Sequence, residues 1–216
     1  MLSIIRWSVA ICFVALSSSV VAATPITTLF SSGVDDAGNP LAGGAADPHY
    51  TVNENAGNPA RVVTLPNALY IPNDANSQWI WQQADSLPGS VTRTFRTTFD
   101  LTGFNPADVR INGFWSVDNN GLDILLNGIS TGISLLGSPF SNLDQLNPFS
   151  ISNGFMTGVN SLEFVVQDLA QPGGFRAQLS AFTVPEPGSL ALFGLGILGL
   201  GLARRRKPAA GVARCS

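Results

Sequence analysis

Between Val91 and Ala181 apolar and polar residues alternate with a period of two, in runs short enough only for strands. In residues 91–101, Val91, Phe95, Phe99 and Leu101 share one side, while Thr92, Thr94, Arg96, Thr98 and Asp100 share the other. Such a run turns one face to a core and the other outward. Arg93 interrupts the apolar side, which predicts a place near a strand end or beside a carboxylate. The pattern recurs in Val109, Ile111, Trp115 and Val117, and in Leu122, Ile124 and Leu126 set against Asp123 and Leu125. It recurs again in Leu162, Phe164 and Val166, and in Phe175, Ala177, Leu179 and Ala181. Weaker strands are expected at 27–30, 61–65 and 79–81. Turn-forming pairs separate the runs, among them Asn39-Pro40, Asn58-Pro59, Asn105-Pro106 and Pro172-Gly173. Asn127-Gly128 has the chemistry of a tight hairpin turn. Roughly eight to ten short strands between such turns predict an all-β fold, a two-sheet jelly-roll β-sandwich. No fixed-period repeat supports a propeller or β-helix.

The alternating region is bounded by different chemistry. Met1 to Ala23 has a basic Arg6, an apolar stretch from Trp7 to Leu16, and Val21-Ala22-Ala23, the layout of a secretory signal peptide cut before Thr24. Residues 24–183 then form the expected ectodomain. They hold five arginines, no lysine and thirteen carboxylates, a net charge of −8. Such a surface cannot neutralise phosphates, which argues against a nucleic-acid partner. Both cysteines, Cys12 and Cys215, lie outside this region, so it holds no disulfide, thiolate metal site or thiol nucleophile. His49 is the single histidine, which excludes multi-histidine metal centres.

After the ectodomain come Val184-Pro185-Glu186-Pro187, an apolar glycine-rich run from Leu190 to Ala203, and Arg204-Arg205-Arg206-Lys207. The apolar run is shorter than the ~20 residues of a full span. The basic block is a cytoplasmic anchor by the positive-inside rule, leaving the ectodomain outside. These three parts, in this order, resemble the PEP-CTERM sorting signal of Gram-negative bacteria. The resemblance covers residues 184–207 and implies an exosortase-type processing enzyme acting after signal peptidase, a transient inner-membrane stage through the C-terminal helix, and a destination at the cell surface or in an exopolysaccharide matrix. Residues 208–216 would be a short cytoplasmic tail, longer than that family's usual extension.

A second resemblance lies within the ectodomain. Arg93 to Leu101, Gly113 to Asn119, Asp123 to Gly128 and Gly158 to Val166 are similar to the galactose-binding-like jelly roll. That fold serves in carbohydrate-binding modules and in accessory domains of glycosidases, and the resemblance spans residues 79–182. Asp118-Asn119 and Asn127-Gly128 are expected to hold strand edges.

Glycoside hydrolysis requires two carboxyl groups facing one cleft. The ectodomain has two glutamates, Glu54 in a loop and Glu163 on a strand, where it reads as outward and solvated. Saccharide binding needs an aromatic face and planar hydrogen-bonding groups. Trp79 and Trp115 are expected in the core, whereas Trp81, beside Gln82 and Gln83, is expected partly exposed. Trp81, His49 and Tyr50 are therefore the candidate ligand-binding residues, the last two in a loop. Asp35, Asp36 and Asp47 supply hard oxygens suited to a structural Ca²⁺, which galactose-binding-like domains often carry. The sequence thus points to an exported, non-catalytic surface or matrix protein that is structural or carbohydrate-interacting. The alternative is a small secreted hydrolase acting on polysaccharide.

Overall fold

The computed structural model describes residues 22–53, 58–64, 68–137 and 142–184, together with 194, 196 and 197. Ala23–Pro185 is one compact unit; Met1–Ala22 and Glu186–Ser216 are assigned to another, nearly all of it outside the described residues. The expected leader up to Val21, the run 190–203 apart from the helical Gly194, Gly196 and Ile197, and the basic block lie outside the described residues. Among the described residues no helix is long and apolar enough to cross a membrane.

The clearest alternation in the sequence becomes the longest strands. They are β5 (Thr92–Asp100), β6 (Val109–Asp118), β7 (Asn120–Leu126), β10 (Val159–Gln167) and β11 (Gly174–Thr183). Shorter strands complete the set: β1 (Thr24–Pro25), β2 (Ala46–Val52), β3 (Pro59–Val62), β4 (Ile80–Trp81), β8 (Ile129–Ser130) and β9 (Asn147–Ile151). The antiparallel order is β8-β7-β10-β5-β2-β3-β4-β11-β6-β9, with β1 added to β11. This path curls until its halves face each other across one core. Phe164 of β10 lies 4.8 Å from Phe175 of β11, ring centroid to centroid, although the two strands are not paired. Phe95 of β5 also stands 4.8 Å from Phe175. The expected jelly-roll sandwich is therefore what the chain forms.

Local departures have local causes. Leu122 is only half-buried because the β7–β10 register shifts between Val165 and Val166, which moves Gly121 onto the core side. A Cβ on Gly121 would run into the indole of Trp115, so the inward position takes glycine. Residues 27–30 form no strand. The segment instead follows β11 through Ile26 N–H to Ala181 O (2.8 Å) and Ser32 N–H to Ala177 O (2.9 Å), with the hydroxyls of Ser31 and Ser32 accepting from Leu179 and Ala177. Strands β1, β2 and β9 escaped the sequence pattern. In β2, Pro48 lies where the ladder to β3 is interrupted, a place where its missing N–H is tolerated. In β9, Pro148 is on an edge strand. At the hairpin between β7 and β8, Asn127 and Gly128 both adopt positive φ, 54° and 76°, as the turn requires.

The expectation that Trp81 is partly exposed is corrected. Trp79, Ile80 and Trp81 are all fully buried. The Trp81 ring lies 5.4 Å from Phe95, its N–H donates to Pro88 O (3.1 Å), and Gly173 leaves room against its indole. Trp79 packs on Tyr70 and donates to Ile71 O (2.8 Å). Loops on both sides of β4 cover it, so apolar residues on both faces signal double burial, not a binding platform. Trp81→Ala should therefore destabilise the protein as severely as Trp79→Ala, by ~3–5 kcal/mol in urea unfolding. Retention of the wild-type unfolding midpoint in Trp81→Ala would contradict this packing.

Candidate ligand-binding groove

Three neighbouring strands, β5, β10 and β7, turn their second faces outward. Glu163 of β10 is paired in register with Arg96 of β5 on one side and Leu125 of β7 on the other. Inward-facing Leu162 and Phe164 fix the strand, so the alternation sends Ser161 and Glu163 to the outer face. Arg96 Nε stands 3.7 Å from Glu163 Oε1, too far for a hydrogen bond, and that Nε has no hydrogen-bond partner. Ser161 Oγ donates to Glu163 Oε1 at 2.9 Å. The side chain of Glu163 is 8% exposed against 39% for Arg96. The expectation of a solvated Glu163 is thus corrected: the acid sits low on the sheet, beneath longer neighbours.

Above this pair lies an open groove of about 510 Å³, lined also by Thr98, Leu125, Asn127, Met156, Val159 and Asn160. One end is built by two asparagines that serve each other and the backbone. Asn127 Nδ2 donates to Asn160 Oδ1 (2.9 Å) and to Gly154 O (3.1 Å), and Asn127 Oδ1 accepts from Ser161 N–H (3.0 Å). Asn160 Nδ2 donates to Met156 O (2.7 Å) and Gly158 O (2.9 Å), while its Oδ1 accepts from Met156 N–H (2.8 Å). This staple holds the 153–158 loop beside the β7–β8 hairpin and projects Met156 and Val159, 52% and 67% exposed, along the rim. The groove therefore offers one cation, one anion, hydroxyls and an aliphatic edge.

The residues singled out in sequence lie elsewhere. His49 and Tyr50 are in strand β2, not in a loop. Tyr50 is fully buried, with its hydroxyl donating to Phe30 O (3.2 Å) and its ionisation pushed up by burial. A residue so enclosed cannot touch a ligand, and Trp81 is enclosed in the same way. His49 stacks flat on Phe30, centroids 3.7 Å apart and planes at 4°, with Nε2 3.5 Å from Asp36 Oδ1. Asp35 accepts from Ala37 N–H (2.9 Å) and Asn39 N–H (2.8 Å), a turn-stabilising role. Buried Asp47 accepts from Gly33 N–H (2.7 Å) and His49 N–H (2.8 Å). Asp35 and Asp47 are turned to backbone donors while the exposed Asp36 faces His49, so the three carboxylates are not gathered into a Ca²⁺ cage. Among the described residues no group of three or more His, Cys, Asp or Glu is arranged to hold a metal ion. Glu54 and Pro185-Glu186-Pro187 lie outside the described residues. Val184, the first motif residue, donates its N–H to Asp108 O at 2.8 Å, directly after β11. Arg93 is at a strand end, as expected, but bonds Gln82 and Thr92 O, not a carboxylate.

A second polar cluster is structural. Tyr70 O–H lies 2.7 Å from Asp118 Oδ2 and 3.0 Å from Pro172 O, and can donate to only one of them at a time. Asn119, as expected, ties the strand end: its N–H donates to Gln167 O (2.9 Å) and its Oδ1 accepts from Leu169 N–H (2.6 Å). Asp168 in turn accepts from Ser90 and Ala170 N–H.

Residues 183–207 match the family described as the PEP-CTERM protein-sorting motif, which marks an exported protein. No curated protein sequence matches the chain. Among solved structures, a family 35 carbohydrate-binding module of Paenibacillus barcinonensis is similar, at 15% identity and a TM-score of 0.38, over 63% of this chain and 94% of that one. One from Clostridium thermocellum gives 16% and 0.37, over 62% and 92%. The Stig cyclase Fisc of Fischerella gives 12% and 0.40, over 76% and 99%.

Burial pushes Asp118 up to about 6; the Tyr70 hydroxyl opposes this and the Asp168 charge adds to it. Protonated, Asp118 can donate to Tyr70 while Tyr70 donates to Pro172 O, which satisfies the whole chain. The folded pKa stands above the unfolded value of 3.8. The stability from this proton is therefore complete below the unfolded pKa and is lost as pH rises through about 6. Asp47 and Asp168, also raised by burial, act in the same sense. The urea midpoint should accordingly be higher at pH 5 than at pH 7, and Asp118→Asn should narrow that difference. An unchanged pH dependence in Asp118→Asn would remove Asp118 as its source.

Proposed function

We propose that this chain is an exported, non-catalytic surface or matrix protein whose jelly roll binds saccharide in the groove over β5, β10 and β7. The observation that carries the reading is the Arg96–Glu163 pair on the floor of that groove. The Arg96 side chain is 39% exposed and stands beside the Glu163 carboxylate, so a donor and an acceptor sit side by side on the groove floor. Hydroxyl pairs of sugars need that combination, and bonds to charged groups are the stronger kind. Glycoside hydrolysis asks for a second carboxyl opposite the first, whereas Glu163 is the single carboxylate among the groove's described lining residues. The groove thus favours holding over cutting.

Delivery follows from the C-terminal motif. The sheet ends at Thr183 and the sorting motif starts there, so the binding domain is attached to the sorting segment without a spacer. An exosortase-type enzyme would remove the tail after signal peptidase has removed the leader. The transient membrane stage is assigned to the run 190–203, with Arg204 to Lys207 on the cytoplasmic side, and the released domain would reside in an extracellular polysaccharide matrix.

Two measurements test these halves. Arg96→Ala and Glu163→Gln should each weaken retention on polysaccharide extracted from the producing cells by about tenfold, the effect of losing ~1.4 kcal/mol. Their circular dichroism should stay that of the wild type, because both side chains lie outside the core. Wild-type retention in both variants would rule out the groove. Intact-mass analysis of surface material should show both the leader and the Arg204–Lys207 block missing; a surface form ending at Ser216 would overturn the sorting reading.

A further inference from the structure

Resting on the saccharide reading of the groove, we infer that its ligand is a neutral 6-deoxyhexose, whose C6 methyl lies against Leu125 and Met156. The groups in the groove divide into three kinds. The amides of Asn127 and Asn160 are consumed by each other and by backbone. They leave no ready partner for the acetamido group of an N-acetylhexosamine.

Arg96 and Glu163 are the second kind. They face each other in register at 3.7 Å, a gap too wide for a direct hydrogen bond. A vicinal diol fits such a pair, one hydroxyl donating to the carboxylate while its neighbour accepts from the guanidinium.

The third kind is apolar. Leu125 stands directly across from Glu163 on β7, Met156 lines the same groove, and no aromatic ring is among its described lining residues. A hydroxymethyl group placed there would lose water without gaining a partner, whereas a methyl group would gain from burial.

Charge narrows the class further. The two ionisable lining residues cancel each other, while residues 24–183 carry −8. That field repels an anionic saccharide, so a uronate is disfavoured at the same position.

The test is calorimetric titration of the purified exported protein with methyl glycosides matched in ring configuration. They differ only at C6, as methyl, hydroxymethyl or carboxylate, in the manno, galacto and gluco series. Methyl N-acetylglucosaminide is added as a further probe. In at least one series the C6-methyl sugar should bind about fivefold or more tightly than its hydroxymethyl parent, and the carboxylate should bind weakest. Met156→Gln should abolish the preference for the C6-methyl sugar while leaving the melting temperature and circular dichroism unchanged. Equal or tighter binding of the hydroxymethyl or carboxylate forms in every series overturns the inference but leaves the groove a saccharide site, as does tightest binding of the N-acetyl sugar. Absence of binding to every glycoside, together with no retention on extracted polysaccharide, overturns both.

Discussion

The sandwich depends on a ring contact made across the sheet. Phe175 of β11 meets Phe95 of β5 and Phe164 of β10, strands from the opposite half of the curled path. Trp115 continues the cluster against Phe164, and Trp81 continues it against Phe95. Each such side chain contributes ~1.5–3 kcal/mol by burial, and each well-placed ring pair adds ~0.5–1.5 kcal/mol. Without a disulfide in residues 24–183, these contacts are what hold the two halves of the sheet face to face. The same packing fixes the inward faces of β5 and β10, and so determines which residues are left for the outer groove.

Around this core, long loops are fastened by buried polar groups. Arg176, fully buried on β11, reaches Asp74 Oδ2 at 2.7 Å, Ser77 Oγ at 2.8 Å and Pro72 O. A guanidinium so enclosed tolerates its loss of water only because these oxygens replace it. Tyr70 does similar work between Asp118 and Pro172. These fastenings bring the 70–78 and 171–173 loops over β4 and hide both of its tryptophans. The aromatic surface that the sequence suggested is thereby spent on the core, and the exposed chemistry is left to charged and aliphatic residues.

The fold was legible in the sequence where one residue decides its own environment. Phe95, Phe164 and Phe175 declare inward faces by alternation alone, and Asn127-Gly128 declares its turn by φ preference. The pattern failed where a neighbour decides. Pro48 disguised β2 as a loop because the interruption of the β3 ladder that accommodates it depends on a distant strand. Trp81 was misplaced because its cover comes from Pro88 and Gly173, neither adjacent in sequence. Glu163 was read correctly as outward and wrongly as solvated, since outwardness is a property of its strand and depth is a property of the walls around it.

The groove illustrates why a candidate site is harder to read than a fold. Its two ions are 67 residues apart, and nothing in either local sequence distinguishes them from ordinary surface charges. Even an exposed cross-strand pair stabilises a sheet by only ~0.2–1 kcal/mol, and a buried carboxylate must also offset its desolvation, so folding alone places little demand on a Glu163 set this deep beside an Arg96 whose Nε is unsatisfied. The asparagine staple is a second investment of polar groups, with six hydrogen bonds holding a short loop in place. Its effect is to fix Met156 and Val159 in solvent, where they contribute little to the core. An exposed aliphatic edge in the same groove as a half-satisfied ion pair is poorly explained by stability, and it suits a surface meant to be covered.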